Sequence, residues 1–431
     1  MSGCIASVTG REILDSRGNP TVEAEVVLTN GIRARAAVPS GASTGASEAI
    51  ELRDADQHRY GGKGVLTAIA RINDTLGPAV VGIRAQDQAA LDEVLIELDG
   101  TPNKARLGAN AILAVSLACA RAAAIDHDLP LFSYLGGPGA RRLPVPLMNV
   151  MNGGVHAHWQ GPDFQEYMLV PYGADSFRQS LQWGAETYRA LQSLLAERGV
   201  SVAVGDEGGF VASVRSNRDP LDFIMAAIER AGLKPGAQVG IAIDPASSGF
   251  FSDGKYVLRT EDRLIGSDEM IHYYMGLAQN YPLCLLEDGL AETDWNGWRA
   301  LTEALGSTLE LVGDDILCTN PATIAKAIED GVGNAALIKP NQIGTLTETV
   351  AAARTAQFHG WGAMISHRSG ETVDSFIADL TVALDTGHLK AGAPARGERV
   401  EKYNQLMRIE DELGRAAGFA GKNAFCRPVR F

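Results

Sequence analysis

Val239-Gly240-Ile241-Ala242-Ile243 runs into Asp244, and Leu283-Cys284-Leu285-Leu286 runs into Glu287. Leu309-Glu310-Leu311-Val312-Gly313 leads to Asp314, and Ala335-Ala336-Leu337-Ile338 leads to Lys339. Short apolar runs separated by helix-length amphipathic stretches read as buried parallel strands of repeated βα units. In a closed (β/α) barrel the strand C-termini emerge on one face, where active sites form. The pattern therefore places three carboxylates and a lysine around one mouth. Hard oxygen ligands on separate strands suit Mg²⁺, and a lysine beside a divalent cation suits a general base. Such a mouth points to metal-assisted removal of a proton next to a carboxylate.

At 431 residues the chain has room for two domains, one of them a full barrel. Lys and Arg number 38 against 52 Asp and Glu, a net charge of −14. That balance argues against nucleic acid or an anionic membrane as partner. Cys4, Cys119, Cys284, Cys318 and Cys426 are scattered, odd in number and without a CxxC pair, so reduced thiols are expected. The Met-Ser-Gly-Cys-Ile start lacks a charged n-region and a long apolar h-region, and no apolar stretch is read as approaching membrane-spanning length. A cytoplasmic location is the expectation.

Residues 21–28 alternate polar and apolar, and Asn30-Gly31 is a hairpin turn into 32–38. A glycine-serine loop follows at 40–45, then helical patterns around 64–82, 87–98 and 109–127. Gly136-Gly137-Pro138-Gly139 is a breaker cluster. Strand and helix patterns alternate from Leu143 nearly to the end. The expected architecture is α/β: an α+β N-terminal capping domain over 1–137, followed by a (β/α)8-like barrel over 138–431.

Several motifs carry a resemblance to a known family: 11–20, the 40–45 loop, Gly205-Asp206-Glu207-Gly208-Gly209, 339–344, Ser366-His367-Arg368-Ser369-Gly370-Glu371-Thr372 and 403–406. In this order the chain resembles the enolases over nearly its whole length. The resemblance implies a barrel whose early strands are not all parallel, and a homodimer or higher homo-oligomer. It implies dehydration of 2-phosphoglycerate to phosphoenolpyruvate with two Mg²⁺ per site, the second arriving with substrate.

On that resemblance Asp244, Glu287 and Asp314 are the metal ligands, with Ser43 on the second ion. Lys339 is the base, its pKa expected to be lowered by Mg²⁺ and Lys390. Lys390 binds the substrate carboxylate and the enolate. Glu207 protonates the leaving hydroxyl, and Glu166 orients or shares that proton, since paired carboxylates push one pKa up. Gln165 touches substrate, Arg368 and Ser369 hold the phosphate, His156 matches the family's active-site histidine, and His367 orients its neighbours.

The departures cluster. His156-Ala157-His158-Trp159-Gln160-Gly161-Pro162-Asp163-Phe164-Gln165-Glu166 covers the second mobile loop of enolases, which usually carries smaller residues there. His158 and Trp159 are expected to add bulk and a titratable group beside the substrate. Val211-Ala212 replaces a usual Ala-Pro, and Gly249 replaces a usual glutamate. An ordinary enolase accommodates these changes as drift. A paralogue such as the carboxyphosphonoenolpyruvate synthase of phosphonate biosynthesis would keep the metal and base and alter the substrate. A non-enzymatic binding role is a third reading.

Overall fold

The structure is a computed structural model that describes residues 3–42 and 44–429. The N-terminal unit opens with an antiparallel sheet of β1 (Ile5–Leu14), β2 (Pro20–Leu28) and β3 (Arg33–Ala37) in the order β1-β2-β3. Period-two alternation decides its faces: Val22, Ala24, Val26 and Leu28 are buried, while Glu23 and Glu25 lie on the other side. The helix Ala109–Asp126 packs on the sheet. By length and a mean hydropathy of 1.4 this helix could cross a membrane, which corrects the sequence reading. Some 83% of it is buried inside the protein, so core packing accounts for its apolar surface.

Eight strands close the second unit: β4 (Val145–Asn152), β5 (Glu166–Val170), β6 (Gly240–Asp244), β7 (Leu283–Glu287), β8 (Glu310–Gly313), β9 (Ala335–Ile338), β10 (Gly362–Ser366) and β11 (Gly387–Lys390). The barrel closes through parallel pairing of β11 with β4. Only β5 runs against its neighbours, antiparallel to both β4 and β6; the other pairs in the ring are parallel. Its strands are buried throughout because helices cover the outside and side chains fill the inside.

The reversed strand positions the chemistry. Since β5 starts where its neighbours end, its first residue, Glu166, lies at the mouth, paired in register with Asn152 and Asp244. All five cysteines are free; Cys284 and Cys318 are buried core residues.

Candidate active site

Asp244 and Glu287 end β6 and β7, Asp314 and Lys339 directly follow β8 and β9, and Lys390 ends β11. The barrel brings them together through their ammonium groups. Lys390 Nζ donates to Asp244 Oδ2 at 3.0 Å and to both Glu287 oxygens at 2.8 Å, and lies 3.1 Å from Glu166 Oε1. Lys339 Nζ donates to Asp314 Oδ2 at 2.5 Å, and Gln342 Nε2 donates to the other Asp314 oxygen at 2.9 Å.

His156 sits between the two glutamates, Nε2 at 3.7 Å from Glu207 and Nδ1 at 4.0 Å from Glu166. Glu207 Oε2 accepts from Asn149 Nδ2 at 3.0 Å and lies 3.3 Å from His367 Nε2. Arg399 donates to His367 Nδ1 at 2.6 Å, which leaves the ring proton on Nε2, facing Glu207. Arg399 also donates to the Arg368 and Ser369 carbonyls at 2.6 Å and so braces the 366–372 loop. Arg368 forms a two-bond pair with Glu48 at 3.0 and 3.1 Å and donates to Asn341 at 3.0 Å.

These pairings distribute protons unevenly. Burial, then the charge of Glu207, holds the Glu166 carboxyl well above the usual range. Burial also pushes Glu207 up, but the groups around it, His367 first, take it well below that range. The proton of the pair thus rests on Glu166, whereas the sequence reading put it on Glu207. The cause is donor supply: Glu207 accepts from Asn149 and faces His367, while Glu166 Oε2 is buried without a partner. Burial pushes His367 down to about 3, so it is neutral. For Lys339, burial acts downward and so, as expected, does Lys390, but Asp314 at 2.5 Å outweighs them and holds the ammonium above the lysine range.

Every expected residue among those described is in one place. His156, Gln165, Glu166, Glu207, Asp244, Asp314, Lys339, His367, Arg368, Ser369 and Lys390 line a single cavity, and Glu287 is bonded to Lys390 at its wall. Ser43 lies outside the described residues. The free space is only about 20 Å³, room for about one water, because the charged side chains close on one another. A substrate must therefore displace internal ion pairs.

The donor set fits a hard divalent cation. Lys390 already shows that Asp244 and Glu287 present three oxygens to one positive centre, and Asp314 offers a further carboxylate at the same mouth. The tightest groupings of potential ligands are different: His156 with Glu166 and Glu207, and Asp288 with Asp314 and Asp315. We favour the strand-end triad on chemistry. Asp288 is committed to the Asp314 and Asp315 backbone N–H groups at 2.8 and 3.0 Å, and in the first group Glu207 is engaged by Asn149 and faces His367.

The departures fall outside the cavity. His158 is exposed and faces an outer hollow with Arg17, Asn19, Lys63 and Asp206; neither it nor Trp159, Val211 or Gly249 lines the substrate space. This corrects the expectation of a titratable group beside the substrate; the turn at 154–157 buries His156 and Ala157 and leaves His158 exposed. Sequence reasoning missed Asn149, Arg399, Glu48 and Asn341. Asn149 and Asn152, polar residues inside the apolar run 145–152, carried a legible signal of a buried polar role. Arg399 and Glu48 sit on polar stretches and carried none.

A closed barrel with one reversed strand, carboxylates and two lysines at its mouth, and a carboxyl pair sharing a proton defines an acid–base barrel enzyme for small anions. Residues 5–135 match the family described as "Enolase, N-terminal domain", and residues 140–427 match "Enolase, C-terminal TIM barrel domain". The chain is 59% identical over 423 residues to Enolase 2 of Pseudomonas syringae pv. tomato, covering 98% of this chain and 99% of that one. It is 56% identical over 421 residues to Enolase 2 of Methanospirillum hungatei, with 98% of each covered, and 56% identical over 423 residues to Enolase of Acidothermus cellulolyticus, again 98% of each. The chain belongs to the enolase family of hydro-lyases.

Proposed function

We propose that this protein removes water from 2-phosphoglycerate to give phosphoenolpyruvate, as a Mg²⁺-dependent enolase. One observation carries the reading: base and acid stand on opposite sides of the mouth. Lys339 follows β9 and Glu166 begins β5, four strands apart around a closed ring of eight. Anti elimination needs this arrangement, one group taking the proton at carbon 2 while the other protonates hydroxide leaving carbon 3.

Once Asp314 no longer favours its charged form and the ammonium has given a proton to water, Lys339 takes the carbon 2 proton as the neutral amine. Lys390 binds the substrate carboxylate and stabilises the negative charge that develops there. The Glu166–Glu207 pair supplies the proton for hydroxide, with His156 between the two carboxyls. Arg368 and Ser369 receive the phosphate, Arg368 exchanging the Glu48 carboxylate for it, and Gln165 contacts the substrate from the same cavity wall. Asp244, Glu287 and Asp314 would hold Mg²⁺, with Ser43 on a second ion, supplying positive charge to the enolate-type dianion.

The cavity lining contains none of the departures from the family pattern, which favours the ordinary substrate over a phosphonate co-substrate. We also infer a homodimer in the cytoplasm. Exposed Leu14, Ile125 and Val373 share one groove beside the N-terminal sheet with Glu23 and Arg33, an apolar patch rimmed by charge. The test is phosphoenolpyruvate formation from 2-phosphoglycerate, followed by ultraviolet absorbance with Mg²⁺ and with chelator. Turnover is expected with Mg²⁺ alone and unchanged by phosphonoformate. A folded, Mg²⁺-binding protein without turnover overturns the reading.

A further inference from the structure

Two successive residues in the 154–162 segment adopt the left-handed conformation without being glycine: His158 at φ 49° and Trp159 at φ 59°. For a residue as bulky as tryptophan this is an outlier, and such strain persists only where the surroundings over-determine it. Here they do. The Arg259 guanidinium lies over the indole, 4.2 Å from the ring centroid. The indole edge lies near Gly249: a Cβ built there would be in ordinary van der Waals contact, 3.6 and 3.7 Å from Trp159 Cη2 and Cζ2, so a longer side chain would run into the ring. Gly249 has no positive φ and a Cβ there would be accommodated, so what the small residue leaves free is the space beyond Cβ, beside the indole.

Arg259 is also tied to Asp163, the residue directly after the segment. Its backbone N–H donates to Asp163 Oδ1 at 2.9 Å, and Asp163 also accepts from Asn217 Nδ2 at 3.0 Å and the Thr260 N–H at 3.2 Å. Within the segment, the Trp159 N–H donates to the Gly154 carbonyl at 2.8 Å and the Gly154 N–H to the Pro162 carbonyl at 2.9 Å. The turn closed by these bonds carries His156, buried between Glu166 and Glu207. Trp159 itself does not line the substrate cavity. Trp159 and Gly249, separate oddities in the sequence, are neighbours in space.

We propose that Trp159, held under Arg259 and beside Gly249, is a positioning residue that holds His156 between the two carboxyls and makes this segment a fixed wall of the site. The catalytic part of this inference rests on the reaction proposed above; the anchoring itself does not. A cation over an aromatic face supplies attraction that a small side chain at 159 cannot.

The experiment compares Trp159→Ala, Trp159→Phe and Gly249→Glu with the parent enzyme, with and without His156→Asn. Trp159→Ala is expected to lower kcat about tenfold while KM changes by less than about twofold, because a group acting at the proton-transfer step is displaced and binding is not. Trp159→Phe, which keeps a ring under Arg259, should restore most of the rate. Gly249→Glu, whose side chain needs the space of the indole, should lose rate as Trp159→Ala does. In the His156→Asn background Trp159→Ala should cost nothing more, since coupled residues are not additive. Amide exchange of residues 154–162 should accelerate in Trp159→Ala, a readout independent of turnover. Unchanged exchange overturns the anchoring. An undiminished loss in the His156→Asn background overturns its action through His156. An inactive parent enzyme whose 154–162 amides lose protection in Trp159→Ala would refute the proposed reaction and retain the anchoring.

Discussion

Replacing Lys390 by Met tests how the mouth is held together. The ammonium is buried and touches Asp244, Glu287 and Glu166 at 2.8–3.1 Å. Methionine keeps most of the volume and removes the charge, leaving three buried carboxyls without their shared cation. Breaking a buried ion pair from one side costs about 3–5 kcal/mol. Unfolding entropy of about 2 cal/mol/K per residue, over a barrel of roughly three hundred residues, converts this to a melting temperature lower by about 5–8 °C.

The loss should depend on pH in a defined direction. Glu166 and Glu287 have folded pKa values above their unfolded ones, burial being the first cause for each. Their contribution to stability is fully present below the unfolded value and is lost as pH rises through the folded one. Removing Lys390 raises both folded values further, so the variant should lose more stability at about pH 8 than at about pH 5. Mg²⁺ should stabilise the variant more than the parent, because no ammonium competes for Asp244 and Glu287. Scanning calorimetry at both pH values, with and without Mg²⁺, measures each part. A decrease identical at both pH values and indifferent to Mg²⁺ would refute the reasoning and reduce Lys390 to a packing residue.

Glu166→Gln mimics the neutral carboxyl, so folding and substrate binding should persist while kcat falls by about 10²–10⁴-fold, read by steady-state kinetics; an equal loss of substrate affinity would contradict a proton resting on Glu166. Glu48→Gln removes the two-bond partner of Arg368 and should lower the melting temperature, while inorganic phosphate stabilises the variant more than the parent. Equal phosphate stabilisation in a thermal-shift titration would show that Glu48 does not compete for that seat. Val373→Asp places a charge in the apolar groove beside the N-terminal sheet, where Val373 is 72% exposed, and should shift the protein toward monomer in sedimentation velocity without lowering monomer stability.

The legible part of the site lay where local pattern and chemistry coincide. Apolar runs ending in Asp244, Glu287, Asp314 and Lys339 mark both strands and mouth, because a buried strand tolerates a charge only where it emerges. The 21–28 alternation marked the N-terminal sheet for the same reason, one face being covered. Glu166 and Glu207 were recognisable only through resemblance, since neither ends an apolar run.

The sequence by itself determined the strand-helix rhythm, the set of ionisable groups at the mouth and the family, because these depend on short-range periodicity and on residue identity. Where the resemblance implied only that the early strands are not all parallel, tertiary structure decided that β5 is the reversed one and so delivers Glu166 to the mouth opposite Lys339. It decided that Arg368 is held by Glu48 from 320 positions away, and that donors around Glu207 leave the proton on Glu166. It also set Trp159 beside Gly249, 90 positions later. Charges and van der Waals surfaces act over ångströms in space, and no local pattern in the chain records which distant residues the closed barrel will bring within that reach.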